Sequence, residues 1–238
     1  MFSFNSKVRF SETNASSQLS YSSIINYFQD CSSFHSEALG VGLDFVKEKN
    51  RAWILSSWQL EVNRFPQFNE TITIGTWPTS FQGMLGNRNY ILLSEQKEVL
   101  AVAHSIWVYL DTTTLRPTRI LPEDSMPYLS AIEAPYPMTL ENRKIIIPNT
   151  LTEQTPFPVT ALHLDTNQHV NNGQYIAMAE SYLPKTFVSN RMRADYRKSA
   201  VLGNAIYPYV HTEETTCTIV LADDKKSPYA IIQFKQPQ

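Results

Sequence analysis

Apolar positions recur along this chain with two different periods. From Ser22 onward Ile24, Ile25, Phe28 and Cys31 fall three and four apart, the spacing of one helical face. Ser22 or Ser23 is placed to cap the start, and Gly40 to close the end near Leu39. Between Ala52 and Phe65 the period becomes two. Trp58, Leu60 and Val62 alternate with Gln59, Glu61 and Asn63, as in a strand with one buried face. Val8 to Ser11, Thr71 to Trp77, Asn89 to Leu93 and Val99 to Leu110 read as further strands, with a turn at Pro66 to Asn69. Val41 to Asn50 reads as a short, partly helical connection. Thr112 to Pro137, which contains Pro117, Pro122, Pro127, Pro135 and Pro137, reads as a linker.

Beyond that stretch the order repeats. Val159 to Leu164 predicts a strand, a polar segment follows, and Gln174 to Tyr182 predicts a helix stopped by Pro184. Arg191 to Arg197, Ile206 to His211, Thr215 to Leu221 and Tyr229 to Phe234 predict strands. With no helix between them, these pair antiparallel. Shifting the first half by 151 positions superimposes the two helices. Asn14 then falls on Asp165, Ser16 on Asn167, Gln18 on His169 and Gln29 on Glu180. The chain reads as two copies of one unit, with ionisable groups at these positions only in the second.

Composition narrows the function. The 238 residues suffice for one large or two small cored domains. A net charge of -2 gives no sign of a phosphate-dominated nucleic-acid binder. Cys31 and Cys217 are too far apart to suggest a disulfide framework, which fits a reducing cytoplasm. No apolar run has the length of a membrane span, and the N-terminus shows no export signal. With seven glycines and no GxGxxG or P-loop pattern, no nucleotide cofactor is expected.

The densest chemistry lies in Leu164-Asp-Thr-Asn-Gln-His-Val-Asn-Asn-Gly-Gln-Tyr175. Asp165 and His169 can polarise water, and Asn167 can orient it or a carbonyl. A helix starting after Asn171, Asn172 and Gly173 would aim free N–H groups at the oxyanion of a carbonyl under attack. That set suits hydrolysis of an ester or thioester. The same residues also read as a solvated polar turn, and spacing alone does not separate the two. His163, Asp165 and His169 offer weak metal ligands without cysteine or a carboxylate cluster, so no metal is expected. Cys31 and Cys217 read as buried small hydrophobes, and Ser199 as a surface serine. Arg191, Arg193 and Arg197 share a strand face with Asp195 among them. That face is either solvated or a docking patch for an acidic partner. Trp53, Trp58, Trp77 and Trp107 read mainly as core.

The segment 164–175 closely resembles the active-site segment of the acyl-acyl carrier protein thioesterases of plants and bacteria. Ala52–Val62, Gly75-Thr-Trp-Pro78, Ser105-Ile-Trp-Val108 and Asp195-Tyr-Arg-Lys198 resemble the same family, so the likeness covers nearly the whole chain. The resemblance implies an α+β tandem hotdog fold, each unit a helix wrapped by an antiparallel sheet. In that scheme residues 1–125 form a degenerate, acyl-chain-binding domain, 126–145 a linker and 146–238 the catalytic domain. It also implies hydrolysis of the thioester between a fatty acyl chain and the phosphopantetheine arm of acyl carrier protein, with no cofactor. Asp165, Asn167 and His169 would be the catalytic set, with Glu180, Asn172 and Gly173 supporting. Plant members that this chain resembles carry Glu and Cys where Ser199 and Ala200 stand here. A cysteine nucleophile at that place is therefore excluded. Water attack remains, with Asp165 and His169 sharing the base role and Asp165 or Glu180 supplying negative charge. A hotdog hydratase and a non-catalytic acyl-thioester-binding protein are the alternatives. Oligomeric state is open, a homodimer among the compatible states.

Overall fold

A computed structural model describes residues 1–237 and divides into two compact units. One comprises Met1–Ser56 with Val62–Thr139, the other Ser57–Glu61 with the chain from Leu140 onward. The first holds β1 (Phe2–Lys7), α1 (Tyr21–Ala38), α2 (Leu43–Lys49), most of β2 (Arg51–Val62), β3 (Thr71–Gln82), β4 (Leu85–Ser94), β5 (Val99–Asp111), β6 (Arg116–Pro117) and α3 (Pro122–Ser125). Strands β1, β3, β4 and β5 lie side by side, each antiparallel to the next. Helix α1 packs on β3 and β1 through the predicted apolar face: Ile24, Ile25, Phe28 and Cys31 are fully buried. Each large aliphatic or aromatic side chain so buried contributes roughly 1.5–3 kcal/mol. The Phe28 ring meets the Tyr90 ring at 5.2 Å.

Two local expectations are corrected here. The first strand is Phe2–Lys7, not Val8–Ser11. Phe2 and Phe4 alternate with Ser3 and Asn5 and find a ladder partner in β3, with Phe4 opposite Ile74. Arg9 to Glu12 instead closes on itself: Glu12 N–H donates to Arg9 O at 3.1 Å, and Arg9 N–H to the Glu12 carboxylate at 2.9 Å. The cap of α1 is Ser20, whose Oγ accepts from Ser23 N–H, rather than Ser22 or Ser23. Gly40, at φ 72°, ends the helix in the left-handed region that favours glycine.

The stretch read as a linker, 126–145, is largely exposed but anchored at several points. In the first unit Tyr128 is buried and its hydroxyl bonds Ser36 Oγ at 2.9 Å. Trp77 Nε1 donates to Ala134 O at 3.0 Å, and Tyr136 N–H to Asn89 Oδ1 at 3.1 Å.

The second unit holds β7 (Thr152–Glu153), β8 (Phe157–Pro158), α4 (Asn172–Glu180), β9 (Arg191–Tyr196), β10 (Ala205–Thr212), β11 (Thr216–Ala222) and β12 (Pro228–Lys235). The strand order is β9-β12-β11-β10-β7, all antiparallel, with Ser57–Glu61 of β2 along β9. Helix α4 packs on β11 and β12.

The arginine-bearing face of β9 is neither solvated nor a docking patch as a whole. Residues 141–145 cross it as a strap. Arg193, 9 % exposed, donates to Glu141 Oε2 at 2.9 Å, to Gln233 Oε1 at 3.1 Å and to Asn142 O. Asp195, 3 % exposed, accepts the Ile145 N–H at 3.0 Å and pairs with Arg197 at 2.6 Å. Ile145 is thereby pressed into a cluster with Tyr209, Val220, Ala222 and Ile231. Buried charges persist when paired and hydrogen-bonded, as these are. The expected strand at Val159–Leu164 is instead a 3-10 turn over Ala161–His163. Its ends are satisfied locally: Leu164 N–H donates to Ala161 O, and Thr160 N–H to His163 Nδ1 at 3.0 Å.

Candidate active site

The polar segment between Leu164 and Val170 is a closed turn. Those two residues bridge each other, and Asp165 N–H donates to His169 O at 2.8 Å. Inside the turn, Asp165 Oδ1 accepts the N–H groups of Asn167 at 2.8 Å and His169 at 3.3 Å. Gln168 adopts φ 61° so that its N–H can reach Asp165 O.

The first unit contains the same turn 151 positions earlier. Thr13 bridges Leu19, and Asn14 N–H donates to Gln18 O at 2.8 Å. Asn14 Oδ1 accepts from Ser16 N–H at 2.9 Å and Gln18 N–H at 3.1 Å. Ser17, at φ 59°, takes the place of Gln168. Even the preceding 3-10 turns match, with Phe10–Glu12 for Ala161–His163. The repeat read from the sequence is therefore a repeat of individual hydrogen bonds. The frame needs one side-chain oxygen at its first position, and aspartate and asparagine both provide it. What differs is the cargo: Ser16 and Gln18 in one copy, Asn167 and His169 in the other.

The structure brings Asp165, Asn167 and His169 into this one turn. Asp165 is half-buried, while Asn167 and His169 are exposed. Among the described residues no hydrogen bond joins the Asp165 carboxylate to the His169 ring; the contact runs to the His169 backbone. The ring of His169 and the amide of Asn167 make no side-chain hydrogen bond within the described chain, so both can receive a ligand. His163 does not share a strand face with Asp165, because its ring closes the 3-10 turn.

The supporting residues are placed less uniformly. Asn172 opens α4 as expected, and its carbonyl accepts from Tyr196 Oη at 2.9 Å. Gly173 is buried, and its N–H is not free: Asn171 caps the helix with Oδ1 at 2.8 Å from Gly173 N. The expected free donors are thus reduced by the chain's own cap. Glu180 ends α4, eight residues beyond Asn172, roughly 12 Å along the axis at helical rise.

The sequence reading missed Tyr175. Its ring is buried, and its hydroxyl accepts the N–H of Ala200, a fully buried residue, at 2.8 Å. The Ala200 carbonyl in turn accepts Val170 N–H at 2.9 Å, and Val201 bridges His169. The 151 offset carries the signal, since Tyr175 aligns with Ile24, which has no polar atom. Burial raises the phenol pKa of Tyr175 above its ordinary value. Ser199 is exposed, as read from the sequence. Cys31 and Cys217 are buried free thiols, and burial pushes Cys31 up to about 12 and raises Cys217. Neither is poised as a nucleophile.

Comparison with known proteins places this geometry. A family model described as the acyl-ACP thioesterase N-terminal domain matches residues 1–128, and one for the C-terminal domain matches residues 148–236. A chloroplastic acyl-carrier-protein hydrolase of Cuphea viscosissima is 26% identical over 211 residues, 81% of this chain and 50% of the relative. This chain thus spans about half the length of the curated relatives it matches first. An acyl-ACP thioesterase structure from Bacteroides thetaiotaomicron superimposes with a TM-score of 0.88 at 18% identity, covering 98% of this chain and 96% of that one. The 12:0-ACP thioesterase from Umbellularia californica gives 0.86 at 17% identity, with coverages of 98% and 96%. The fold is the α+β tandem hotdog that the family resemblance implied, and the two family models together take in nearly all of the chain, so it belongs to the acyl-ACP thioesterase family.

Proposed function

We propose that this protein hydrolyses acyl-acyl carrier protein thioesters, releasing free fatty acid during fatty acid biosynthesis. His169 is the general base. It takes a proton from water as the water oxygen bonds the thioester carbonyl carbon. The C–S bond then breaks, and the proton passes to the departing thiolate of the phosphopantetheine arm. Asn167 orients the carbonyl. Asp165 holds the turn with one carboxylate oxygen and supplies negative charge beside the imidazolium that forms. The first unit, with Ser16 and Gln18 in the equivalent turn, binds the acyl chain and does no chemistry. Two buried free thiols are in keeping with action in a reducing cytoplasm.

One observation carries this reading: two turns with the same hydrogen bonds, of which one bears an imidazole and a primary amide with no internal partner. The first turn also supplies the controls, because it folds with its own residues. His169→Gln, Asp165→Asn and Asn167→Ser each install the residue found there. Release of thiol from acyl carrier protein thioesters of several chain lengths is the assay. Loss of an acid–base group costs typically 10²–10⁴-fold, so His169→Gln is expected to lower kcat by at least about 100-fold at unchanged Tm. The reading fails if no chain length yields thiol, or if folded His169→Gln turns over near the wild-type rate.

A further inference from the structure

We propose that Tyr175 is a positioning residue for His169, acting through Ala200. The inference rests on the thioesterase reading of the 164–170 turn. The Tyr175 hydroxyl bonds the backbone of Ala200, which is paired in turn with the segment that carries His169. Ala200 is fully buried, so its N–H must be given an acceptor inside the protein. Tyr175 Oη is that acceptor, at 2.8 Å. One residue along, Val201 bridges His169, and the Ala200 carbonyl takes the Val170 N–H at 2.9 Å. The segment Ala200–Val201 is thus fixed to the turn on one side and to the helix α4 on the other. Tyr196 adds a second tie, from its hydroxyl to Asn172 O at the start of the same helix.

The first unit shows what happens when the tether is absent. There Leu19 N–H donates to Pro66 O at 2.8 Å, and Gln18 bridges Gln67. Pro66 therefore stands where Ala200 stands, and Ile24 where Tyr175 stands. Proline has no N–H to satisfy, and isoleucine has no oxygen to offer. Donor and acceptor are both present in the copy with the imidazole and both missing from the copy without it. A purely structural need would be met as well by the proline arrangement, which folds in this same chain. The tyrosine–alanine pair is accordingly assigned to holding the catalytic turn in register.

Three variants test this: Tyr175→Phe, Ala200→Pro and the double. Tyr175→Phe keeps the ring and orphans the Ala200 N–H. Its kcat on an acyl carrier protein thioester is expected to fall by about tenfold or more, the scale of one unpaired buried donor, with KM changed less than about threefold. In the Ala200→Pro background no N–H remains to be orphaned, so Tyr175→Phe is expected to change kcat by less than about twofold. Equal losses in both backgrounds would mean that Tyr175 acts on the substrate directly, and would overturn the proposal. So would unchanged kcat in Tyr175→Phe with a lowered Tm, the mark of a structural tie. Amide hydrogen exchange reads the tether without activity. Tyr175→Phe is expected to speed exchange at Ala200 and Val170 by at least about tenfold, and no acceleration refutes the tether. If wild type releases no thiol, the thioesterase reading falls and positioning for catalysis falls with it, while the exchange result still decides whether the tether exists.

Discussion

Acid should destabilise this protein through two buried histidines of the first unit. His35 is 4 % exposed, stacked on Phe2 at 5.1 Å, and its Nδ1 lies 3.0 Å from Arg88 Nη1. Arg88 is itself buried and also donates to Thr76 Oγ1 at 3.1 Å, so Nδ1 must stay unprotonated to accept from it. Burial, then the Arg88 charge, then the amino terminus pull the His35 pKa down to about 4. Burial alone pulls His104 down to about 4. In the unfolded chain both return to about 6.5. A depressed folded pKa means that the unfolded state binds protons first as pH falls. Stability is therefore full above about 7, declines through 6.5, and reaches its floor near 4. Between pH 7 and 5 each histidine accounts for about 2 kcal/mol by this linkage, and the pair for about 4. Urea unfolding of wild type and His35→Asn at pH 7, 6 and 5 checks the His35 share. Asparagine places an acceptor oxygen near the Nδ1 position without a titrating proton. The stability lost between pH 7 and 5 is expected to shrink by about 2 kcal/mol in the variant. Identical losses in both proteins would refute the reasoning, because other titrating groups are common to the two.

Asp195→Ala leaves the Ile145 N–H buried without an acceptor and unties the strap over β9. A loss of about 1–3 kcal/mol is expected, with faster hydrogen exchange at Ile145; unchanged exchange there would contradict the strap's dependence on Asp195. Gln18→Ala changes a side chain of the first turn whose frame is built from backbone and Asn14, so kcat should stay within about twofold of wild type. A collapse of kcat at unchanged Tm would show that the first turn takes part in chemistry.

The parts of this fold that were legible from sequence are those set by local periodicity. The apolar face of α1 and the buried Trp58, Leu60 and Val62 of β2 follow from spacing that a chain repeats over several residues, whereas the burial of Ser57 and Gln59 on the other face of β2 does not. The 151-residue offset was legible too, and it proved to align single hydrogen bonds. Short elements misled. Val159 to Leu164 contains enough apolar residues for a strand, yet a 3-10 turn satisfied by Thr160 and His163 takes it. Parity correctly grouped Arg193 with Asp195, but whether that face meets water depends on residues 141–145, some fifty positions away in the chain. The Tyr175–Ala200 bond is likewise between residues 25 apart, and no spacing rule announces it. In the turn itself, residue types pointed to chemistry, while the use of Asp165 Oδ1 by two backbone amides could only be seen in three dimensions.

The burial of Cys31 and Cys217 has a practical consequence. A disulfide reagent that titrates released thiol reacts with thiolates, and in the folded protein both cysteines are shielded and held in the protonated form. The protein's own background is then close to zero. If a variant unfolds, its two cysteines emerge, and the reagent registers at most two thiols per chain. Turnover, by contrast, gives a steady signal that passes that ceiling. One absorbance trace thereby sorts a variant that folds but does no chemistry, which is silent, from one that has lost its structure, which bursts and stops.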